Sequence, residues 1–381
     1  MRFSILLSLL PALALAAPAP ILQPRSGTPI PNRYIIKLQN QGVQTILEGL
    51  LKLLKKEPTY IYKFGNFGGL AVELSDDVVK LVSKYPGSEK IEKRAYTTQT
   101  STTWGLGRIS HPNTGFTSYT YDRTAGANTC VYVIDTGIHT AHPEFEGRAT
   151  FLANYAGDGS NTDGNGHGTH CAGTVGSKTY GVAKKAKIFA VKVLNASGSG
   201  TNSGVIAGIN FVAIDAKTRA GCTSGTVGSL SLGGSKSAAV NSAVANAVTA
   251  GIFMAVAAGN EAQNATNVSP ASEPTAFTVG ASDSSDRFAS FSNYGSSVDI
   301  IAPGVSILST WNNGGTNTIS GTSMATPHVA GLAAYILGFE GKKTPAVLAT
   351  RLRTLALKNK ITGIPGSGTP NYLAFNGNPS R

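Results

Sequence analysis

Apolar positions in this chain follow helical and strand periods in short alternating blocks, and the blocks fall into two groups. In the first, residues 32–38 alternate as a strand does, and 43–54 repeat at three and four residues as one helix face does. Residues 65–74 read as a turn and a strand, and Ser75 opens a second helix over 76–85. This order predicts a small α+β unit of about 65 residues. In the second group, strand-sized apolar runs at 130–134, 187–194, 227–232, 252–257, 276–279 and 298–302 alternate with helical patterns at 166–176, 203–219, 238–250, 323–337 and 345–355. Apolar strands separated by helices predict an α/β domain, with a mostly parallel sheet covered on both faces. Ligands of such sheets bind beyond the carboxyl ends of the strands. Asp135 and Asn260, which follow two of these runs, therefore land where chemistry is expected.

The amino-terminal residues belong to neither group. Arg2 precedes an apolar run over 3–15 that ends in the small-residue site Ala14-Leu15-Ala16, which predicts a secretory signal peptide at 1–16. The run is too short to span a bilayer, and no later stretch is long and apolar enough to do so, so no membrane role is expected. Residues 17–30, rich in Pro and Ala, read as a linker. The formal net charge is +12: thirteen Lys/Arg face seven Asp/Glu in residues 1–94, and nineteen face thirteen beyond. No Lys/Arg-rich block interleaved with aromatics stands out, which disfavours nucleic acid as a partner. Cys130, Cys171 and Cys222 are the three cysteines. An exported chain is expected to pair two and leave one thiol over.

Three short runs rich in small residues carry the candidate chemistry. Val131-Tyr132-Val133-Ile134-Asp135-Thr136-Gly137 ends a strand on a carboxylate. Gly166-His167-Gly168-Thr169-His170-Cys171-Ala172-Gly173 presents an uncrowded imidazole. Gly321-Thr322-Ser323-Met324-Ala325-Thr326-Pro327-His328 puts a serine where a helix should begin, since Pro327 fits only an early turn. A serine hydroxyl is a poor nucleophile without a base beside it, and the base needs a third group to fix its tautomer. Asp135, His167 and Ser323 supply acid, base and nucleophile in that chain order. A zinc site from His167, His170 and Cys171 is disfavoured, because the spacing is not H-E-x-x-H and no carboxylate in the run supplies a base. A lipase-type hydrolase would need G-x-S-x-G and the order Ser, Asp, His, whereas Ala325 stands two residues after Ser323.

On these motifs the chain, from the Trp104-Gly105-Leu106-Gly107-Arg108-Ile109 run to the C-terminus, resembles a subtilisin-like serine endopeptidase of the fungal proteinase K-like branch. The resemblance implies a three-layer subtilisin-like fold over 95–381, preceded by an inhibitory propeptide at 17–94. Cleavage is expected near Arg94–Ala95, where the basic pair Lys93-Arg94 meets a Thr/Gln/Ser run read as flexible. It implies Asn260 as an oxyanion donor beside the Ser323 N–H, and an extended polypeptide substrate lying between two edges. One edge includes Ser199 and Gly200, the other Ser231, Leu232 and Gly233. Ala257, Ala258 and Gly259 would wall a roomy, uncharged P1 pocket favouring apolar or aromatic residues. Asn202 stands where close relatives often carry a tyrosine, so an aromatic P4 preference does not follow. The implied disulfide is Cys130–Cys222, leaving Cys171 free on the His167 face of its helix. A loop of that size stabilises by roughly 4–5 kcal/mol in the chain-entropy model. The counterparts of a second family bridge fall near Phe277 and Leu348, so that bridge is missing. No cofactor is expected for the chemistry. One structural calcium is implied through two backbone carbonyls and a carboxylate, matched by Pro274, Ala276 and Asp299; a second, weaker family site is not matched. Sequons at Asn195, Asn264 and Asn267 permit glycosylation. A secreted monomer is expected.

Overall fold

The computed structural model describes residues 17–23, 28–39, 42–54, 58, 60–64 and 67–378. The expected signal peptide at 1–16 and the Gly65-Asn66 part of the expected turn lie outside these residues. Two compact units meet in sequence between Ala95 and Tyr96.

The first unit contains strands β1 (Ile21–Leu22) and β2 (Thr28–Leu38), helix α1 (Val43–Leu54), strands β3 (Tyr60–Phe64) and β4 (Phe67–Glu73), helix α2 (Asp76–Ser83) and the first part of strand β5 (Ser88–Gln99), whose last four residues belong to the second. Its sheet runs β1-β5-β2-β4-β3. Alternation turns Tyr34, Ile36 and Leu38 of β2 and Leu70 and Val72 of β4 inward, where they meet Leu47 and Leu50 of α1 and Val79 and Val82 of α2. Ser75 caps α2, its side chain accepting the Val78 N–H. Two expectations need correction. The 17–30 segment is more than a linker: Ala19 is buried, its N–H reaches the Ser83 carbonyl at 2.6 Å, and Ile21 pairs with Ile91. The run after Arg94 is strand rather than flexible. Tyr96, Thr97, Thr98 and Gln99 pair antiparallel with β6 (Tyr119–Asp122), and the Thr98 and Thr120 hydroxyls lie 3.0 Å apart. Aromatic and β-branched residues favour a pleated, paired backbone, and that preference outweighs the polarity of the run.

The second unit continues with α3 (Trp104–Ser110), β6, β7 (Thr129–Asp135), β8 (Ala149–Asn154), α4 (His167–Gly176), β9 (Lys187–Lys192), α5 (Asn202–Asp215), β10 (Gly225–Leu230), β11 (Gly234–Ser235), α6 (Ala238–Thr249) and β12 (Phe253–Ala257). Then come β13 (Val268–Ser269), β14 (Phe277–Ser282), β15 (Ile300–Pro303), β16 (Ile307–Thr310), β17 (Thr316–Ile319), α7 (Thr322–Glu340), α8 (Pro345–Leu355), β18 (Leu357–Lys358) and β19 (Tyr372–Leu373). The main sheet runs β18-β19-β15-β14-β12-β10-β7-β9-β8 and is parallel except at β18/β19.

Successive residues of β7 feed opposite faces. Val131 and Val133 join the core under α4 and α7, while Cys130, Tyr132 and Ile134 join the core under α5 and α6. Burial on both faces is why these strands read as unbroken apolar runs. Helix α7 packs across β7, β10, β12, β14 and β15 and is buried nearly all round. Cys130 and Cys222 form a disulfide, and Cys171 is free and buried. Among the described residues no helix is long and apolar enough to cross a membrane. The parallel order carries Asp135, Lys192, Leu230 and Ala257, the last residues of four neighbouring strands, to one edge of the sheet.

Candidate active site

At that edge the carboxylate of Asp135 is wholly buried, and its Oδ1 accepts the Thr136 N–H and His167 Nδ1, each at 2.7 Å. Its Oδ2 is buried with no hydrogen-bond donor among the described residues. A buried anion so sparsely hydrogen-bonded depends on His167 for compensation. Burial opposes a charge on the imidazole, but the Asp135 carboxylate outweighs it, and the His167 pKa is held well above its ordinary value.

The imidazole is aimed by a scaffold of small residues. His167 is the first residue of α4, and Gly166 before it has φ of +109°; a Cβ there would lie 2.4 Å from the Trp311 ring. Asp163 organises the same turn from a buried position. Its Oδ1 accepts the Thr136 hydroxyl and the Asn165 and Gly166 N–H groups. Its Oδ2 accepts the N–H and hydroxyl of Thr169. Lys192 is also wholly buried. Its Nζ donates to the carbonyls of Thr136 and Leu194 at 2.9 and 2.7 Å and pairs with Asp158 at 2.9 Å. The sequence reading missed both residues. The Asp-x-Asn-Gly spacing just ahead of a helix was the available signal for Asp163; Lys192 carried none, because its partners come from three separate loops.

Ser323 is the second residue of α7, so its N–H is among the first helical donors, which lack an intrahelical acceptor. Its Oγ donates to the Ser231 carbonyl at 3.1 Å, not to His167, and its own carbonyl accepts the Ser231 hydroxyl at 2.8 Å. Cys171 lies between the two, with Sγ 4.0 Å from His167 Nδ1 and donating to the Ser323 carbonyl at 3.4 Å. Burial pushes the Cys171 thiol up. The ligand atoms of Asp135, His167 and Cys171 fall within 4.8 Å of one another. His170 instead turns Nε2 to the Ile307 carbonyl as a buried core residue. Asn260 is exposed, and its Oδ1 accepts the N–H and hydroxyl of Thr322 at 2.8 and 2.9 Å, which orients the amide and leaves Nδ2 as the remaining donor. Thr322, which also accepts the Gly259 N–H, was not foreseen as the residue that holds Asn260.

His167 and Ser323 open on a cavity of about 490 Å³ that is also lined by Ser199, Gly200, Asn202, Ser231, Leu232 and Gly233. Ala257, Ala258 and Gly259 do not line it; the two alanines are buried, at the last residue of β12 and just after it. Of the sequon residues, Asn264 and Asn267 are exposed. Asn195 is half-buried, and its Oδ1 accepts from Ser197 and Ser199.

The implied calcium position fares differently. Asp299 is the one carboxylate of the proposed set. Its Oδ1 takes Arg353 Nη2 at 2.6 Å, and its Oδ2 takes the Thr278 N–H at 2.7 Å. A carboxylate already paired with a cation and a backbone donor does not fit a calcium ion, so the assignment of Pro274, Ala276 and Asp299 as ligands is not supported by these contacts.

Residues 126–372 match the model of the Subtilase family. The chain belongs to the subtilase family. It is 52% identical, over 99% of its length and 100% of the relative's, to a cuticle-degrading protease of Metarhizium anisopliae. It is 54% identical, over the full length of both, to the subtilisin-like serine protease AsES of Sarocladium strictum. A crystal structure of a cold adapted subtilisin-like serine proteinase is 44% identical, with a TM-score of 0.69, covering 73% of this chain and 99% of that one. The protein is thus a subtilisin-like serine endopeptidase acting on polypeptides, in a family whose catalysis needs no cofactor.

Proposed function

We propose that this protease is a secreted, monomeric endopeptidase that cuts extended polypeptides through an acyl-enzyme, using Asp135, His167 and Ser323. The observation that carries the reading is the buried Asp135–His167 pair at 2.7 Å, opening on the cavity that Ser323 also lines. In the reaction, Ser323 Oγ leaves the Ser231 carbonyl and turns to His167 Nε2; catalytic hydrogen bonds commonly tighten only with substrate bound. Oγ then bonds to the peptide carbonyl carbon while its proton passes to Nε2. Asn260 Nδ2 and the Ser323 N–H receive the negative oxygen. The C–N bond breaks as Nε2 returns the proton to the departing amine. Water, deprotonated in turn by His167, releases the acyl group and restores the hydroxyl. Asp135 stabilises the imidazolium and keeps its own charge.

The substrate lies between the Ser199-Gly200 and Ser231-Leu232-Gly233 edges by main-chain pairing, which reads little sequence. Specificity is therefore broad, with an apolar or aromatic P1 preference, since Ala257, Ala258 and Gly259 would offer a small, uncharged wall. Residues 17–94 act as the inhibitory propeptide, cut near Arg94–Ala95, after a signal peptide at 1–16 directs export. Export is supported by the apolar leader and the Cys130–Cys222 disulfide.

Casein digestion by the matured enzyme tests the reading. Ser323→Ala should lower kcat by about 10⁶-fold, and Asn260→Ala by about 10²–10³-fold, losses of the size known from subtilisin itself. Equal digestion by wild type and Ser323→Ala rules the mechanism out.

A further inference from the structure

We propose that Arg353 stands where the family resemblance implies a calcium ion, so that this part of the fold carries its own cation and neither binds nor needs calcium. The inference rests on the contacts of Asp299 alone and is independent of the catalytic reading.

Asp299 sits just before β15, with its side chain mostly buried. Its N–H donates to the Thr278 carbonyl at 2.9 Å while its Oδ2 accepts the Thr278 N–H, so the residue is locked to β14 by a reciprocal pair. One carboxylate oxygen then remains for a cation, and Arg353 of α8 occupies it at 2.6 Å. The guanidinium is held from the other side as well, lying 5.3 Å from the ring centre of Phe277 in a cation–π arrangement. Calcium requires six to eight oxygens at about 2.3–2.6 Å and shuns nearby positive charge. Here a positive group already contacts Asp299, the one carboxylate of the implied set.

The location strengthens the argument. Phe277 and Leu348 stand near the counterparts of the family's missing second bridge, and both are buried in one hydrophobic cluster. At this place, then, the chain lacks a covalent staple and pairs the expected metal-binding carboxylate with an arginine. The Phe277–Arg353–Asp299 stack joins α8 to β14 and the start of β15, the elements that an ion or a bridge would otherwise hold.

Thermal denaturation of the matured enzyme decides this, with a serine-reactive inhibitor present to stop self-digestion. Midpoints are compared in EDTA and in millimolar calcium chloride for wild type, Asp299→Asn, Arg353→Gln, Arg353→Lys and the Arg353→Gln/Asp299→Asn double variant. Wild type and Asp299→Asn should show the same calcium response, meaning none that depends on Asp299. Arg353→Gln should melt lower in EDTA and gain a calcium-dependent rise of about 2–4 °C or more, absent from the double variant. Arg353→Lys keeps the charge and should stay indifferent. A wild-type calcium response abolished by Asp299→Asn overturns the proposal. So does an Arg353→Gln variant that is destabilised yet gains nothing from calcium. If Arg353→Gln does not fold, wild type, Asp299→Asn and Arg353→Lys still give the answer.

Discussion

His167 concentrates the electrostatics of the site in one side chain. Burial and Asp135 act on it in opposite senses, and the carboxylate prevails, so its pKa lies well above the ordinary value of about 6.5. A general base works only when unprotonated. The acidic limb of kcat/KM against pH should therefore fall above pH ~6.5, and Asp135→Asn should move that limb toward acid while lowering the maximum by about 10⁴-fold. Steady-state rates on a chromogenic peptide between pH 5 and pH 10 would check both, and an unshifted limb would mean that Asp135 does not set the proton affinity of His167. At this scale the sequence was most legible. Asp135, His167, Ser323 and Asn260 each sit beside a glycine or at a strand or helix end, where a reactive side chain has room. Asp163, Lys192 and Thr322 were not legible, because what they do depends on partners that the fold brings together. An isolated lysine in the run Ala190-Val191-Lys192-Val193 looks like a solvated strand end; only the fold shows three loops converging on it.

At the level of elements, α4 to α8 of the α/β unit were read within a few residues, because a buried helix between two strands leaves an unmistakable spacing; the short α3 was not read. The strands Tyr60–Phe64, Ser88–Gln99 and Ala149–Asn154 and the Ile307–Thr310/Thr316–Ile319 hairpin were not read. Each is short, polar or half-exposed, so pairing partners rather than composition decide its conformation. Lys192 shows what such loop-spanning contacts are worth. It fastens the turn after β7 to the Leu194 edge of the cavity and to Asp158. Lys192→Met would leave the Thr136 and Leu194 carbonyls without their donor, while Asp158, an exposed residue, keeps Asn154 and Ser160. We expect a stability loss of about 2 kcal/mol, with a fall in kcat/KM as the Leu194 edge shifts. Guanidinium denaturation and peptide kinetics on the same variant read the two effects, and a stability change under about 0.5 kcal/mol would show the clamp to be dispensable.

The molecule as a whole is built on a core that fully encloses the imidazoles of His170 and His328. His170 Nε2 donates to the Ile307 carbonyl at 2.9 Å, and His328 lies inside α7 with Nδ1 donating to the Met324 carbonyl at 2.8 Å. Burial, more than any partner, depresses both to a pKa of about 4. An unfolded histidine titrates near 6.5, so between pH ~6.5 and ~4 the unfolded chain binds protons that the folded core refuses. Their contribution is therefore intact above 6.5 and is lost as pH falls toward 4, by roughly 3 kcal/mol each when the coupling between them is neglected. His167 works with the opposite sign: its raised pKa favours the folded state most below 6.5, and that benefit fades as pH rises through its folded value. Between pH ~6.5 and ~4 the His167 contribution no longer changes, so the two buried imidazoles set the histidine-linked loss there. His328→Leu keeps the volume near constant and removes one of the two titrations. Its stability difference between pH 7 and pH 4.5, measured by denaturant titration of the inhibited enzyme, should be smaller than that of wild type by about 2–3 kcal/mol. An identical pH dependence in the two proteins would mean that the acid sensitivity does not arise from charging the buried His328 ring.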